Sequence, residues 1–245
     1  MTVRSLLVKG MLVGAVAGVV AFLVASVFGS GPVQAAIDFE SATAGGHDHG
    51  DELVSRAVQS TVGLATATIV YGLAIGGFFG IAFAIAYGRI GRFSPRATAA
   101  LVGLGGFVTT ALVPFLKYPA NPPATGDPAT LDQRTVLHLL MIVIAVGAAI
   151  VAVSLGRSLR ARLGDWNATL AAVGAYVLFV GAVLMLLPSV ESVPDGFPAL
   201  VMWEFRLSSL GTQLAVWATL GLAFGALVER AAAPATPRER VGAPS

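Results

Sequence analysis

The side chains best suited to chemistry gather in one short stretch, Gly45-Gly46-His47-Asp48-His49-Gly50-Asp51-Glu52. Two imidazoles one residue apart, three carboxylates beside them and glycines that let the chain turn could converge on a single divalent cation. Imidazole suits Zn, Cu, Ni, Fe and Co, and carboxylate adds neutralising charge without demanding a soft ion. His47, Asp48, His49, Asp51 and Glu52 are therefore the candidate metal ligands. The same stretch also reads as a solvated polar linker, and the local motif does not separate the two. Affinity order does not name the ion, because cobalt, nickel and zinc all bind such donors and copper binds best. The third histidine of the chain, His138, stands far along the sequence, and no cysteine is present to form a disulfide or a thiolate site.

What must position these groups is a membrane domain. Of 245 residues, 56% are hydrophobic and 11% charged, against about 25% charged in an average soluble domain. The charges collect in short islands, and no Asp, Glu, Lys or Arg falls between Arg56 and Arg89. Crossing a hydrocarbon core of about 30 Å takes about 20 apolar residues. Six stretches meet that length, near residues 8–29, 58–87, 97–116, 135–156, 167–187 and 207–228. In lipid each segment must satisfy its own backbone, so the runs are helices. The expected fold is an all-α bundle of six transmembrane helices, one domain over residues 1–230, with a disordered tail over 231–245 rich in Ala, Pro and Arg. The first run also resembles a signal peptide, with Val33-Gln34-Ala35-Ala36 as a cleavage sequence. Its length and its Gly10, Gly14 and Gly18 favour retention, because glycines four apart suit close helix packing. Gly72, Gly76 and Gly80 repeat that spacing, and Gly221 and Gly225 do so once.

Basic residues orient the bundle. With six crossings, eleven Lys and Arg fall on the side of the two termini and four on the other: Arg56, Lys117, Arg134 and Arg206. The positive-inside rule then puts both termini in the cytoplasm. Ten of the thirteen acids fall outside with those four bases, a net charge near −6 that would concentrate cations. An acidic outer face also arises simply by avoiding conflict with the orientation rule, and taken alone that is the simpler account. His138 opens the fourth span near this face. The second outer loop, from Lys117 through Asn121 and Asp127 to Pro128, carries four prolines. Proline fixes φ and lacks a donor, so this is a stiff segment that could line a vestibule. The third outer loop ends on Trp203, Glu204 and Arg206, and Trp203 suits the bilayer interface. Glu204 and Arg206 are expected to pair with loop charges such as Lys117 or Asp127.

Two further stretches are Phe115-Leu116-Lys117-Tyr118-Pro119-Ala120-Asn121-Pro122-Pro123 and Phe205-Arg206-Leu207-Ser208-Ser209-Leu210-Gly211-Thr212-Gln213. With the His- and Asp-bearing first loop, they make the chain resemble the CbtA family of predicted bacterial cobalt transporter subunits, over nearly its whole length. The resemblance implies a multi-pass protein of the bacterial inner membrane, linked to cobalamin metabolism and cobalt uptake. It also implies a small partner, CbtB, with one span and a histidine-rich end. The family often has a longer histidine run where this chain has only His47 and His49.

Two functions follow as expectations. One is a cobalt uptake subunit that captures metal on its acidic outer face and passes it inward. The other is a non-transporting scaffold, or a metal-presenting accessory subunit, that depends on a partner such as CbtB. Ion pathways usually carry charged residues inside the membrane, and the six spans hold only neutral polar groups such as Thr66, Thr68, Thr109, Thr110, His138 and Gln213. His138 and Gln213 are the candidate path residues, with Lys117, Asn121, Asp127, Glu204 and Arg206 at the outer vestibule. Each path candidate also reads as a hydrogen-bond partner between helices. No enzyme is expected and no nucleotide-binding loop is present. No permanently bound cofactor is expected either; Co2+ is the cargo, and Ni2+ or Zn2+ also suits these donors.

Overall fold

Gly10, Gly14 and Gly18 do what their spacing implies. They let the first helix lie against the third with backbone touching backbone. In the computed structural model, which describes residues 2–43, 55, 58–123, 125, 128–190, 193–194 and 196–232, α1 is Val3–Phe28 and a short α2, Ser30–Thr43, follows almost directly. Next come α3 (Gln59–Ala86), α4 (Pro95–Lys117), α5 (Leu131–Leu186) and α6 (Ala199–Ala232). All but α2 are long and apolar enough to cross a membrane, and there is no strand among the described residues.

α1 and α3 run antiparallel. A Cβ added at Gly18 would sit 2.5 Å from the Thr68 carbonyl oxygen, and one at Gly80 2.5 Å from that of Leu6. Gly10 and Gly14 meet Gly76 and Gly72 more closely still. Lipid tails supply no hydrophobic drive between helices, so such van der Waals contact is a main source of association. α4 and α6 repeat the arrangement: Gly103 faces Gly221, and Gly225 faces Ala99 and Arg96. Between the two helix pairs lies the principal core, with Leu6, Val13, Ala17 and Ala21 from α1, Phe79 and Phe83 from α3, and Trp217, Leu220 and Phe224 from α6. Phe224 meets Phe79 and Phe83 edge-on at centroid distances of 5.2 and 5.1 Å, a favoured aromatic geometry. Outside, the order inverts, and Leu178, Met185 and Leu186 are among many large apolar side chains left exposed. That is the surface a bilayer would cover.

α5 holds two of the six runs expected to cross. Its 56 residues, at 1.5 Å each, would be about 84 Å long if straight. Instead the backbone breaks at Gly164, with φ 73° and ψ 170°, a conformation essentially restricted to glycine. The helix folds back on itself, so a Cβ on Gly156 would lie 3.2 Å from that of Ala172. The two arms, 131–163 and 165–186, read as separate spans in the sequence. The loop expected between them, Arg157–Trp166, is helix apart from this turn. The hairpin packs through Met141, Ala145 and Val180 onto Val113 and Tyr118 at the end of α4. α2 is held apart from the main core by Ala36, which packs with Phe197 and Met202 at the start of α6.

α4 does not run as a regular helix to its end. Residues Val108–Leu112 form a π-turn, two residues before Pro114. Proline has no N–H to return to the preceding turn, and an inserted residue of this kind is one of the ways a helix accommodates the loss. The last turn of α4 then leads into the proline-rich segment.

Candidate functional site

Where α4 ends, α5 begins and α6 has made its first turns, the three helices do not close on one another. They leave a cavity of about 740 Å³, within the range of small-molecule sites. Its walls are Thr110, Ala111, Phe115 and Lys117 of α4, the segment Tyr118–Asn121, and Leu131, Arg134, Thr135, His138 and Leu139 of α5. Val190 and Val193 add part of the rim, and α6 contributes Arg206, Ser209, Leu210 and Gln213. The helical contributions follow from period. Arg134 and His138 are four apart, and the α6 residues fall at i, i+3, i+4 and i+7, one stripe of a helix.

Hydrogen bonds hold this frame. Arg206 donates from Nη2 to Asn121 Oδ1 at 3.0 Å, tying α6 to the proline segment. Lys117 Nζ lies 3.0 Å from Ser189 Oγ. The Tyr118 hydroxyl donates to the Pro188 carbonyl at 2.9 Å, and burial pushes its pKa above the ordinary tyrosine value, which keeps the donor proton in place. Deeper in, Tyr71 donates to Gln213 Oε1 at 3.3 Å, linking α3 to α6. The hydroxyls of Thr68, Thr109 and Thr110 turn back to carbonyls of their own helices at 2.8–3.0 Å. Hydroxyls so engaged satisfy their helix locally.

Five of the seven residues assigned to a path or vestibule, His138, Gln213, Lys117, Asn121 and Arg206, thus face one cavity. Glu204 is exposed and not part of it. Asp127 lies outside the described residues, as do the proposed ligands His47, Asp48, His49, Asp51 and Glu52. Among the described residues, Lys117 bonds to Ser189 rather than to Glu204, and Arg206 bonds to Asn121; its expected partner Asp127 lies outside the described residues. α6 turns Arg206 toward the proline segment, while Glu204, two residues earlier on the same helix, is exposed and does not line the cavity.

Three contributors are not evident from the sequence as site residues. Arg134 reads there only as an outer charge, and its spacing of four from His138 is the available signal. Tyr71 and Ser189 carry none, because their partners are 142 and 72 residues away.

The electrostatic character of the cavity is cationic. Lys117, Arg134 and Arg206 line it and, among the described residues, no Asp or Glu does. Among the same residues, none of the three has an acidic partner within salt-bridge distance. The ion pairs described, Arg96–Glu229 at 3.8 Å and Arg160–Asp165 at 3.5 Å, lie at the opposite end of the bundle. Nor do the described residues contain any group of three or more His, Asp or Glu able to hold a metal ion.

No curated protein and no solved structure matches this chain. A family model described as a probable cobalt transporter subunit matches residues 3–229, nearly the whole membrane bundle. The chain belongs to the CbtA family of probable cobalt transporter subunits.

Proposed function

We propose that this chain is the multi-pass subunit of a bacterial inner-membrane cobalt uptake system, with both termini cytoplasmic, and that it depends on a second subunit to move metal. Family membership supports cobalt as the cargo. The observation that carries the dependence is the lining of the cavity: one histidine, His138, among three cationic side chains and, among the described residues, no carboxylate. A bare divalent ion beside a single imidazole would meet like charges there. At an effective dielectric near 20, a pair of unit charges about 5 Å apart costs about 3 kcal/mol. Further metal donors would have to come from elsewhere. Within this chain, His47, Asp48, His49, Asp51 and Glu52 are the proposed outer capture ligands. Beyond it, the proposed source is a one-span, histidine-rich subunit of the CbtB kind. Transport rather than catalysis is the proposed role.

The test is radiolabelled cobalt accumulation at limiting external cobalt. Cells would express this chain alone, and then together with a one-span, histidine-rich partner. Accumulation only with both is expected, and full accumulation with the chain alone would overturn the dependence. Replacing His47 and His49 together with alanine is expected to lower uptake several-fold at limiting metal and less at saturating metal. Unchanged uptake at limiting metal removes the loop from the mechanism.

A further inference from the structure

Three of the four basic residues on the side with few of them, Lys117, Arg134 and Arg206, come from three different helices and line one cavity. Their convergence is a property of the fold, and the function proposed above uses it only as an obstacle to a bare cation, leaving open what the three charges bind. From it we infer that the cavity is a binding site for a small multivalent anion of the polycarboxylate class.

The first observation is charge without a counter-charge among the described residues. The two side-chain hydrogen bonds described for these three residues go to neutral oxygens, Ser189 Oγ and Asn121 Oδ1. No carboxylate among the described residues lines the cavity. Basic residues held away from solvent normally pair with an acid. The second observation is an unmet donor on each arginine. The Nε atoms of Arg134 and Arg206 are shielded from solvent and, among the described residues, have no acceptor. A buried donor left unpaired loses the hydrogen bond it made to water and gains none in return, and the loss is greater when the group is charged. An anion seated between the guanidinium groups would supply acceptors and charge together. Arginine fits this task better than lysine because its planar fork matches a carboxylate edge. The third observation is size. About 740 Å³ is more than one inorganic ion needs and suits a compact organic molecule with several acid groups. Leu131, Leu139 and Leu210 offer apolar wall for its carbon frame.

A polycarboxylate can also wrap a divalent metal, and such a complex can keep a net negative charge. The cavity would then admit cobalt as an anionic chelate where it repels the bare ion. That consequence rests on the cobalt role; the binding site itself does not.

The test uses the full chain in zwitterionic-lipid nanodiscs, with radiolabelled citrate as probe and no cobalt, so its result is separate from that of the uptake assay. Saturable binding is expected, weakening as salt rises from about 50 to about 500 mM. Arg134→Gln and Arg206→Gln should each lower affinity by about tenfold or more, the scale of one charge-assisted hydrogen bond. If either variant fails to insert, Lys117→Gln serves instead, with a loss of about threefold expected for a rim charge. Absence of saturable citrate binding overturns the assignment, as does binding that these substitutions leave unchanged. Parallel arms with inorganic phosphate and with phosphatidylglycerol in the disc separate the sources of an anion. Binding of either with no binding of citrate would make the cavity a phosphate or lipid-headgroup seat and overturn the polycarboxylate reading.

Discussion

At the scale of single residues, Gln213 shows how one side chain serves two neighbours. It lines the cavity, and it accepts a hydrogen bond from Tyr71 across the α3–α6 boundary. Side-chain hydrogen bonds between membrane helices average about 0.6 kcal/mol in double-mutant cycles. Tyr71→Phe, Gln213→Leu and the double variant should therefore show a coupling of about that size in thermal unfolding. The Tyr118 hydroxyl is a second local tie. Tyr118→Phe removes the donor to Pro188 and should cost about 1 kcal/mol, read as a lower unfolding midpoint with the cavity otherwise intact. His138 and Gln213 are legible in the sequence because polar groups inside apolar runs are rare. Arg134 is less so, because its spacing of four from His138 is all that sets it apart from the other charges flanking a span.

At the scale of elements, the bundle separates glycines that touch a neighbour from glycines that do not. Gly72 meets Gly14 and Gly18 backbone directly, whereas an added Cβ on Gly174 or Gly181 would meet nothing within 4 Å. Gly72→Leu should therefore separate α1 from α3, with a loss of about 1–3 kcal/mol or more from overpacking and a shift toward aggregated species in size exclusion. Gly174→Leu, on an open face, should leave both unfolding and elution nearly unchanged. Equal behaviour of the two variants would remove the glycine seam as a packing determinant. Gly164 is a different case. Its positive φ makes the α5 turn, and Gly164→Val should cost about 1–3 kcal/mol by straining the hairpin. The four-residue glycine spacing announces the seam from sequence alone. The hairpin turn is less visible, since Arg160 and Asp165 look like residues of a solvent loop and are in fact helical residues paired across the turn at 3.5 Å.

At the scale of the whole molecule, the two ends of the bundle differ. The described ion pairs lie at the end with the termini, and the open cationic cavity lies at the other. Sidedness is directly testable because the chain has no cysteine. Single replacements Pro123→Cys and Ser158→Cys, the first at an exposed position and the second in the α5 hairpin near its turn, should separate cleanly with a membrane-impermeant maleimide. Pro123→Cys is expected to label in intact cells, and Ser158→Cys only after permeabilisation. The reverse pattern would put the cavity on the cytoplasmic side and remove the uptake direction.

The number of crossings, their helical nature and the glycine seams follow from the amino-acid order itself, because each depends on properties read along one segment: run length, absent charge, four-residue spacing. Which charges meet was decided only by tertiary structure. Lys117, Arg134 and Arg206 are separated by 17 and 72 positions and belong to three helices. Only the rotation of each helix about its axis, set by packing against its neighbours, turns them into one cavity.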